Sequence, residues 1–96
     1  MAEYRLSPGA ERDLADIWRY TNKRWGRAQA NRYILSIKAK CAALAEAPLL
    51  AESYAHIRPG YRRRRVEQHA IYFRQSSYGI AIIRVLHERM DAARHL

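Results

Sequence analysis

The chain has 96 residues, a length that predicts one folded domain, residues 1–96, with one modest core. Hydrophobic residues make up 49% of it, which excludes global disorder. Its formal net charge of +9 and isoelectric point of about 10.3 predict an anionic partner, either a nucleic acid or an acidic protein segment. The single cysteine excludes an intrachain disulfide, and the absence of an apolar signal sequence or membrane span predicts a soluble cytoplasmic protein.

The first two predicted elements are a short strand, Glu3–Leu6, and a long helix. Ser7-Pro8 predicts the helix start, because a hydroxyl residue caps helices and proline is favoured at their first position. Gly26 ends the helix. Between them apolar residues recur at helical spacing, at Ala10, Leu14, Ile17, Trp18, Thr21 and Trp25. We therefore predict that both tryptophans pack in the core or between helices, and that Tyr20, off this stripe, is exposed and available for a contact.

A second helix is predicted from Arg27 or Ala28 to the residue before Pro48. Its apolar stripe consists of Ala30, Tyr33, Ile34, Ile37, Cys41 and Leu44. The cysteine in this stripe is therefore expected to be a small core residue and not a nucleophile. Because only a few residues separate the two helices, they should form an antiparallel hairpin.

The second half of the chain predicts a sheet. The apolar residues of Leu49–Ile57 follow neither helical nor strand spacing, so this segment is expected to be a loop. Arg58-Pro59-Gly60 is predicted to be a turn. Three strands follow, separated by turns at residues 67–69 and 76–79: Tyr61–Val66, Ala70–Arg74 and Ile80–Leu86. The tail after them is polar, with Asp91 as a cap for one final helical turn. The fold class is α+β, in the order β-α-α-β-β-β, with a helical hairpin packed on a small, mainly antiparallel sheet.

Four consecutive arginines, residues 62–65, occupy the first of these three strands. Side chains alternate along a strand, so Arg62 and Arg64 share one face and Arg63 and Arg65 the other. One of these pairs must therefore lie over or beside the core. Lysine is confined to the first half of the chain, and the planar, forked donors of arginine suit carboxylate or phosphate recognition.

The four histidines do not form a metal site with nearby acidic residues, and no cofactor is expected. His87 lies at the end of the last strand, and histidine is a residue type used as a general acid or base. A hydrogen-bonded histidine is the expected role there, in preference to a general acid. His69 falls in the predicted turn and is expected to be solvated.

Several segments resemble, in order, the ParE toxins of the RelE/ParE toxin–antitoxin superfamily. The resemblance covers nearly the whole chain and is carried by Tyr4–Gly26, Ala28–Ala30, Arg32–Ile34, Ile57–Arg63, His69–Arg74, Ile83–His87, Arg89–Asp91 and Arg94–Leu96. It implies a non-enzymatic toxin that inhibits DNA gyrase in bacterial cells. It also implies a hetero-oligomeric complex with a ParD-like antitoxin, whose acidic C-terminal segment would match the positive charge of this chain.

The resemblance further implies that a single polar surface binds the antitoxin or the target. If Ile71 and Phe73 face the core, Tyr72 and Arg74 face outward, with one of the two arginine pairs beside them. We predict that this surface consists of Arg62, Arg64, Tyr72, Arg74, Arg84 and His87.

Two alternatives remain open at this point. RelE-type toxins of the same superfamily cleave mRNA on the ribosome, and that chemistry needs a base, cations for the phosphate and an acid. Glu67, Arg65 and His87 have suitable side chains, but their spacing does not show that they converge. The second alternative, a basic nucleic-acid-binding module, is supported by charge alone.

Overall fold

The computed structural model describes residues 2–96, and its order of elements confirms the predicted fold class with one addition. The elements are β1 (Glu3–Leu6), α1 (Pro8–Trp25), α2 (Arg27–Glu46), β2 (Glu52–Ser53), β3 (Tyr61–Val66), β4 (His69–Ser76) and β5 (Gly79–His87). Single 3-10 turns lie at Pro48–Leu50 and Ala92–Arg94. The prediction that residues 49–57 form a loop is wrong in part, because β2 lies there. A strand of two residues is too short to show a period and is defined by its pairing with β3.

The five strands form one mixed sheet in the order β1-β5-β4-β3-β2. β1 runs parallel to β5, and the other neighbours are antiparallel. β1 passes so close to the start of β5 that a Cβ atom on Gly79, which has φ +143°, would lie 2.1 Å from the carbonyl oxygen of Glu3. Only glycine fits this position, so Gly79 permits the parallel pairing.

The main core lies between the helical hairpin and one face of the sheet. Its fully buried side chains include Phe73, Ile37, Ile71, Ile80, Ile82 and Cys41, which confirms the core position predicted for the cysteine. Ser7 connects the two layers. Its Oγ accepts a hydrogen bond from the Ala10 amide at 3.0 Å and donates one to the Ile83 carbonyl at 2.7 Å. The predicted N-cap therefore also fixes α1 against β5.

The opposite face of the sheet carries a second, smaller cluster, formed by Ala70, Tyr72, Leu86 and Ala92 and flanked by Tyr54 and Leu96. The tail folds back over this face, and the Asp91 side chain accepts a hydrogen bond from the Ala93 amide at 3.2 Å, which confirms the predicted cap. Tyr72 therefore faces away from the helices, as its alternation with Ile71 and Phe73 predicts. It is nevertheless only 5% exposed, because the tail covers it.

The two tryptophans of α1 have different environments. Trp18 donates a hydrogen bond from Nε1 to Oδ1 of Asn31 at 2.8 Å and so joins the two helices, as predicted. Trp25 is 68% exposed, so the prediction that it packs in the core or hairpin is wrong. It is the last residue of α1, and a periodic stripe does not reveal where the layer beneath a helix ends. Tyr20 is exposed, as predicted.

Among residues 2–96, no helix has the length and apolarity needed to cross a membrane. Within the same range, no group of three or more histidine, cysteine, aspartate or glutamate residues is arranged to hold a metal ion.

Candidate protein-binding surfaces

The register of β3 on β4 divides the residues that the sequence assigned to one polar surface. Arg62 lies opposite Phe73 and Arg64 opposite Ile71, so this pair shares the helix side of the sheet. Tyr72 lies opposite Arg63, on the other side. The grouping of Arg62 and Arg64 with Tyr72 and Arg74 on one face is therefore wrong. It depended on a register that alternation along a single strand does not reveal.

Two of the β3 arginines form hydrogen bonds with residues in or beside β2. Arg62 donates from Nη1 to the Ala51 carbonyl at 2.9 Å. Arg63 donates from Nε and Nη2 to Oε1 of Glu52, at 3.0 and 2.8 Å, and its guanidinium lies 4.7 Å from the centre of the Tyr54 ring. Both side chains fasten β2 to the sheet.

Arg84 forms the best-shielded ion pair among the described residues. Its Nε and Nη2 donate to the Asp13 carboxylate at 2.7 and 2.8 Å, and the same carboxylate accepts the Val85 amide at 2.9 Å. These hydrogen bonds raise the pKa of Arg84. Its Nη1 also donates to the His95 carbonyl at 3.2 Å. Arg84 therefore joins α1, β5 and the tail. The sequence pattern did not show that this arginine has partners within the chain.

Three other arginines of the sheet, Arg64, Arg65 and Arg74, are exposed and form no ion pair with any residue from 2 to 96. Arg65 and Arg74 lie on the side away from the helices, opposite Ala70 and Tyr61. We call this side the open-face surface and define it by Tyr54, Arg63, Arg65, Tyr72 and Arg74. It includes a cavity of about 250 Å³, lined by four of these residues and by Glu88, Met90, Asp91, Ala92 and Ala70.

A larger cavity, of about 680 Å³, lies on the helix side, between α1 and the ends of β4 and β5. We call it the aromatic groove and define it by Tyr20, Trp25, Tyr33, Glu67, His69 and His87. Asp13, Asp16, Arg84 and Met90 also line it. The sequence predicted an exposed Tyr20 but not this groove, because its residues come from α1, α2 and the turn and strands of the sheet.

The histidines of the groove are linked by hydrogen bonds and ring contacts. The Tyr33 hydroxyl lies 2.6 Å from Nδ1 of His69, and the His69 and His87 rings meet edge to face at 5.2 Å. Burial, with His87 nearby, lowers the pKa of His69 to about 4, and burial raises the pKa of Tyr33 to about 12. At neutral pH the imidazole is therefore neutral and the tyrosine hydroxyl protonated, and this hydroxyl also lies 3.3 Å from the Val66 carbonyl oxygen. The prediction of a solvated His69 in a turn is wrong, because the turn is shorter than expected and His69 opens β4.

His87 accepts a hydrogen bond at Nδ1 from the Arg89 amide at 3.1 Å, which confirms the predicted hydrogen-bonded role at the strand end. Glu67, a turn residue with a positive φ of 54°, lines the same groove. Arg65, the third member of the set considered for RNA cleavage, lines the cavity of the open-face surface instead. The three side chains are thus divided between two sides of the sheet.

Comparison with known proteins identifies the family. The model for the ParE toxin of the type II toxin–antitoxin system parDE matches residues 4–92. The chain belongs to the ParE toxin family. It is 41% identical over 96 residues to Toxin ParE1 of Caulobacter vibrioides, an alignment covering 100% of this chain and 99% of that protein. It is 38% identical to Toxin ParE1 of Mycobacterium tuberculosis, with 99% and 98% covered, and 35% identical to Toxin ParE of Escherichia coli, with 95% and 89% covered.

The fold agrees with a solved structure described as the chromosomal ParDE TA system from P. aeruginosa. The TM-score is 0.78 at 20% identity, over 91% of this chain and 96% of that one. The chain is therefore a ParE-type toxin of a type II toxin–antitoxin system, with the fold of its family. Within this fold, sequence reasoning missed Asp13 and Glu52, the partners of Arg84 and Arg63. A carboxylate distant in the chain carries no local signal that it will meet a particular arginine.

Proposed function

We propose that this ParE-type toxin inhibits DNA gyrase and that a ParD-like antitoxin neutralises it by direct binding, with no catalysis by the toxin. Membership of the ParE family supports the target and the partner. The net charge of +9 supports an acidic partner segment, because opposite charge speeds encounter and suppresses wrong partners.

The observation that carries the antitoxin part of the proposal is the set of exposed, unpaired arginines on β3 and β4. Two of them, Arg64 and Arg65, lie where the edge of β3 has no β2 partner, and Arg74 lies on the neighbouring strand β4. β2 pairs with β3 only at Arg62 and Arg63. The outer edge of β3 therefore has no partner in β2 from Arg64 to the end of the strand. An extended segment that added to this edge would gain backbone hydrogen bonds, and its carboxylates would meet exposed guanidinium groups.

Within this proposal the six residues predicted from the sequence take different parts. Arg64 and Arg74 contact the antitoxin directly, together with Arg65. Tyr72 supports the open-face surface from beneath. Arg62 and Arg84 are held by contacts within the toxin and position their strands. His87 belongs to the aromatic groove.

The non-catalytic part of the proposal is supported by the separation of Arg65 from Glu67 and His87. Cleavage of RNA by this set would require a base, a cation and an acid around one phosphate. Instead, Glu67 and His87 line one cavity and Arg65 lines another.

The decisive experiment measures supercoiling by purified gyrase beside translation of a defined mRNA, each with the purified toxin. We expect supercoiling to stop while the message stays intact. Message cut at discrete codons with gyrase unaffected would overturn the proposal and favour the RelE-type alternative.

The antitoxin contact is tested by charge reversal at Arg74 or Arg64. Arg74→Glu should weaken antitoxin binding by roughly 1–2 kcal/mol, or fivefold to thirtyfold, because an attraction of up to about 1 kcal/mol becomes a repulsion of similar size. The salt dependence of binding should also flatten. Arg32→Glu, an equal charge change at an exposed residue of α2, is the matched control. Equal antitoxin affinity of the Arg74 and Arg32 variants across a salt series would show that Arg74 is not part of the interface.

A further inference from the structure

The aromatic groove has the residue types of a protein-binding hot spot. Trp25 and Tyr20 are 68% and 63% exposed, although they border a cavity of about 680 Å³. Tryptophan and tyrosine are enriched among residues that dominate binding energy, and a cavity beside them can receive an anchoring side chain. Neither ring packs in the core of the toxin. The Arg24 guanidinium lies 5.9 Å from the centre of each ring, and the rest of both rings is available to a partner.

The charges of the groove differ from those of the rest of this basic protein. Glu67 lines it without an ion-pair partner among residues 2–96, and Asp16, also exposed, is paired only with the exposed Arg19. Arg84, a cation of the lining, is held by Asp13. An acidic antitoxin segment would meet the carboxylates of Glu67 and Asp16 here, whereas a lysine or arginine of a partner would be attracted to them.

We propose that the aromatic groove is the docking site for the target enzyme, and that it receives an apolar side chain of the target flanked by a lysine or arginine. This inference rests on the proposed function, and it separates the target-binding groove from the antitoxin-binding open-face surface. The groove and the cavity of the open-face surface lie on different sides of the sheet and share one lining residue, Met90. An antitoxin seated on the open face therefore reaches the rim of the groove, and neutralisation follows from overlap at Met90.

The test compares two activities across two sets of variants. One activity is inhibition of gyrase supercoiling, and the other is affinity for a purified ParD-like antitoxin. Trp25→Ala and Tyr20→Ala should raise the toxin concentration for half-inhibition by about thirtyfold or more, the effect of losing a hot-spot residue. Their antitoxin affinity should change less than about threefold. Arg74→Glu should show the reverse pattern.

Leu35→Ala is the matched control for these truncations. Leu35 is 65% exposed on α2 and lines neither cavity, so it should affect neither activity. Glu67→Lys tests the charge argument separately, and it should weaken inhibition without weakening antitoxin binding. Because all the truncated side chains are exposed, thermal unfolding midpoints should stay close to that of the wild type.

The outcomes distinguish this inference from the function on which it rests. Wild-type protein that leaves supercoiling unaffected overturns the proposed function and the inference with it. If the wild type inhibits and the Trp25 and Tyr20 variants inhibit equally well, the inference alone is overturned. The inference also falls if these variants lose antitoxin affinity, because the groove would then be the antitoxin's site.

Discussion

Removal of the Asp13 carboxylate tests whether Arg84 is a structural residue or a free binding cation. Asp13 is 11% exposed and accepts three hydrogen bonds, two from Arg84 and one from the Val85 amide. A hydrogen bond to a charged group contributes about 1.5–3 kcal/mol to stability, but such contributions do not add fully. Arg84 is 25% exposed, so water partly replaces the lost carboxylate. We therefore expect Asp13→Ala to lower the free energy of unfolding by roughly 2–4 kcal/mol.

Asp16→Ala is the matched control, on the same helix and with the same change of residue. Asp16 also pairs with an arginine, Arg19, but the two side chains are 69% and 68% exposed. Such surface pairs contribute about 0–1 kcal/mol, and the gain in helix propensity from aspartate to alanine is the same at both positions. Urea unfolding followed by circular dichroism measures both variants. A difference between them of less than about 0.5 kcal/mol would refute the structural role assigned to the Asp13–Arg84 pair.

Two further predictions concern β1 and the groove. Gly79→Ala should destabilise the protein by roughly 2–4 kcal/mol, because the new Cβ would collide with the Glu3 carbonyl. Thermal unfolding should show a smaller loss for Gly60→Ala, where φ is also positive but the space is open. Stability should decrease as pH falls from 6.5 towards 4, since the unfolded chain protonates His69 in this range and the folded chain resists it. In pH-dependent urea unfolding, His69→Gln should make this decrease shallower, and an unchanged slope would contradict the burial of a neutral imidazole.

Much of the fold followed from local patterns in the sequence. The Ser7-Pro8 start of α1, the Gly26 break and the three β-rich segments each depend on nearby residues, so their positions were predictable. The errors occurred where a contact comes from a distant part of the chain. β2 exists through its pairing with β3, and Trp25 is exposed because the layer beneath α1 does not extend to its last residue.

The candidate site was less predictable than the fold. Alternation along β3 correctly separated Arg62 and Arg64 from Arg63 and Arg65, but it could not show which pair shares a face with Tyr72. A shift of one residue in the register between β3 and β4 would exchange the two pairs. The tail over Tyr72 and the carboxylate of Asp13 beside Arg84 also depend on folding of the whole chain.

The sequence by itself determined the elements, the family and the positive charge, because helical and strand periods, caps and composition are properties of neighbouring residues. Only the tertiary structure decided which arginines are free and which are held, and which side chains form the aromatic groove. Ion pairs and cavities arise between residues far apart in the chain, and their partners are selected by strand register and by the packing of the helical hairpin on the sheet.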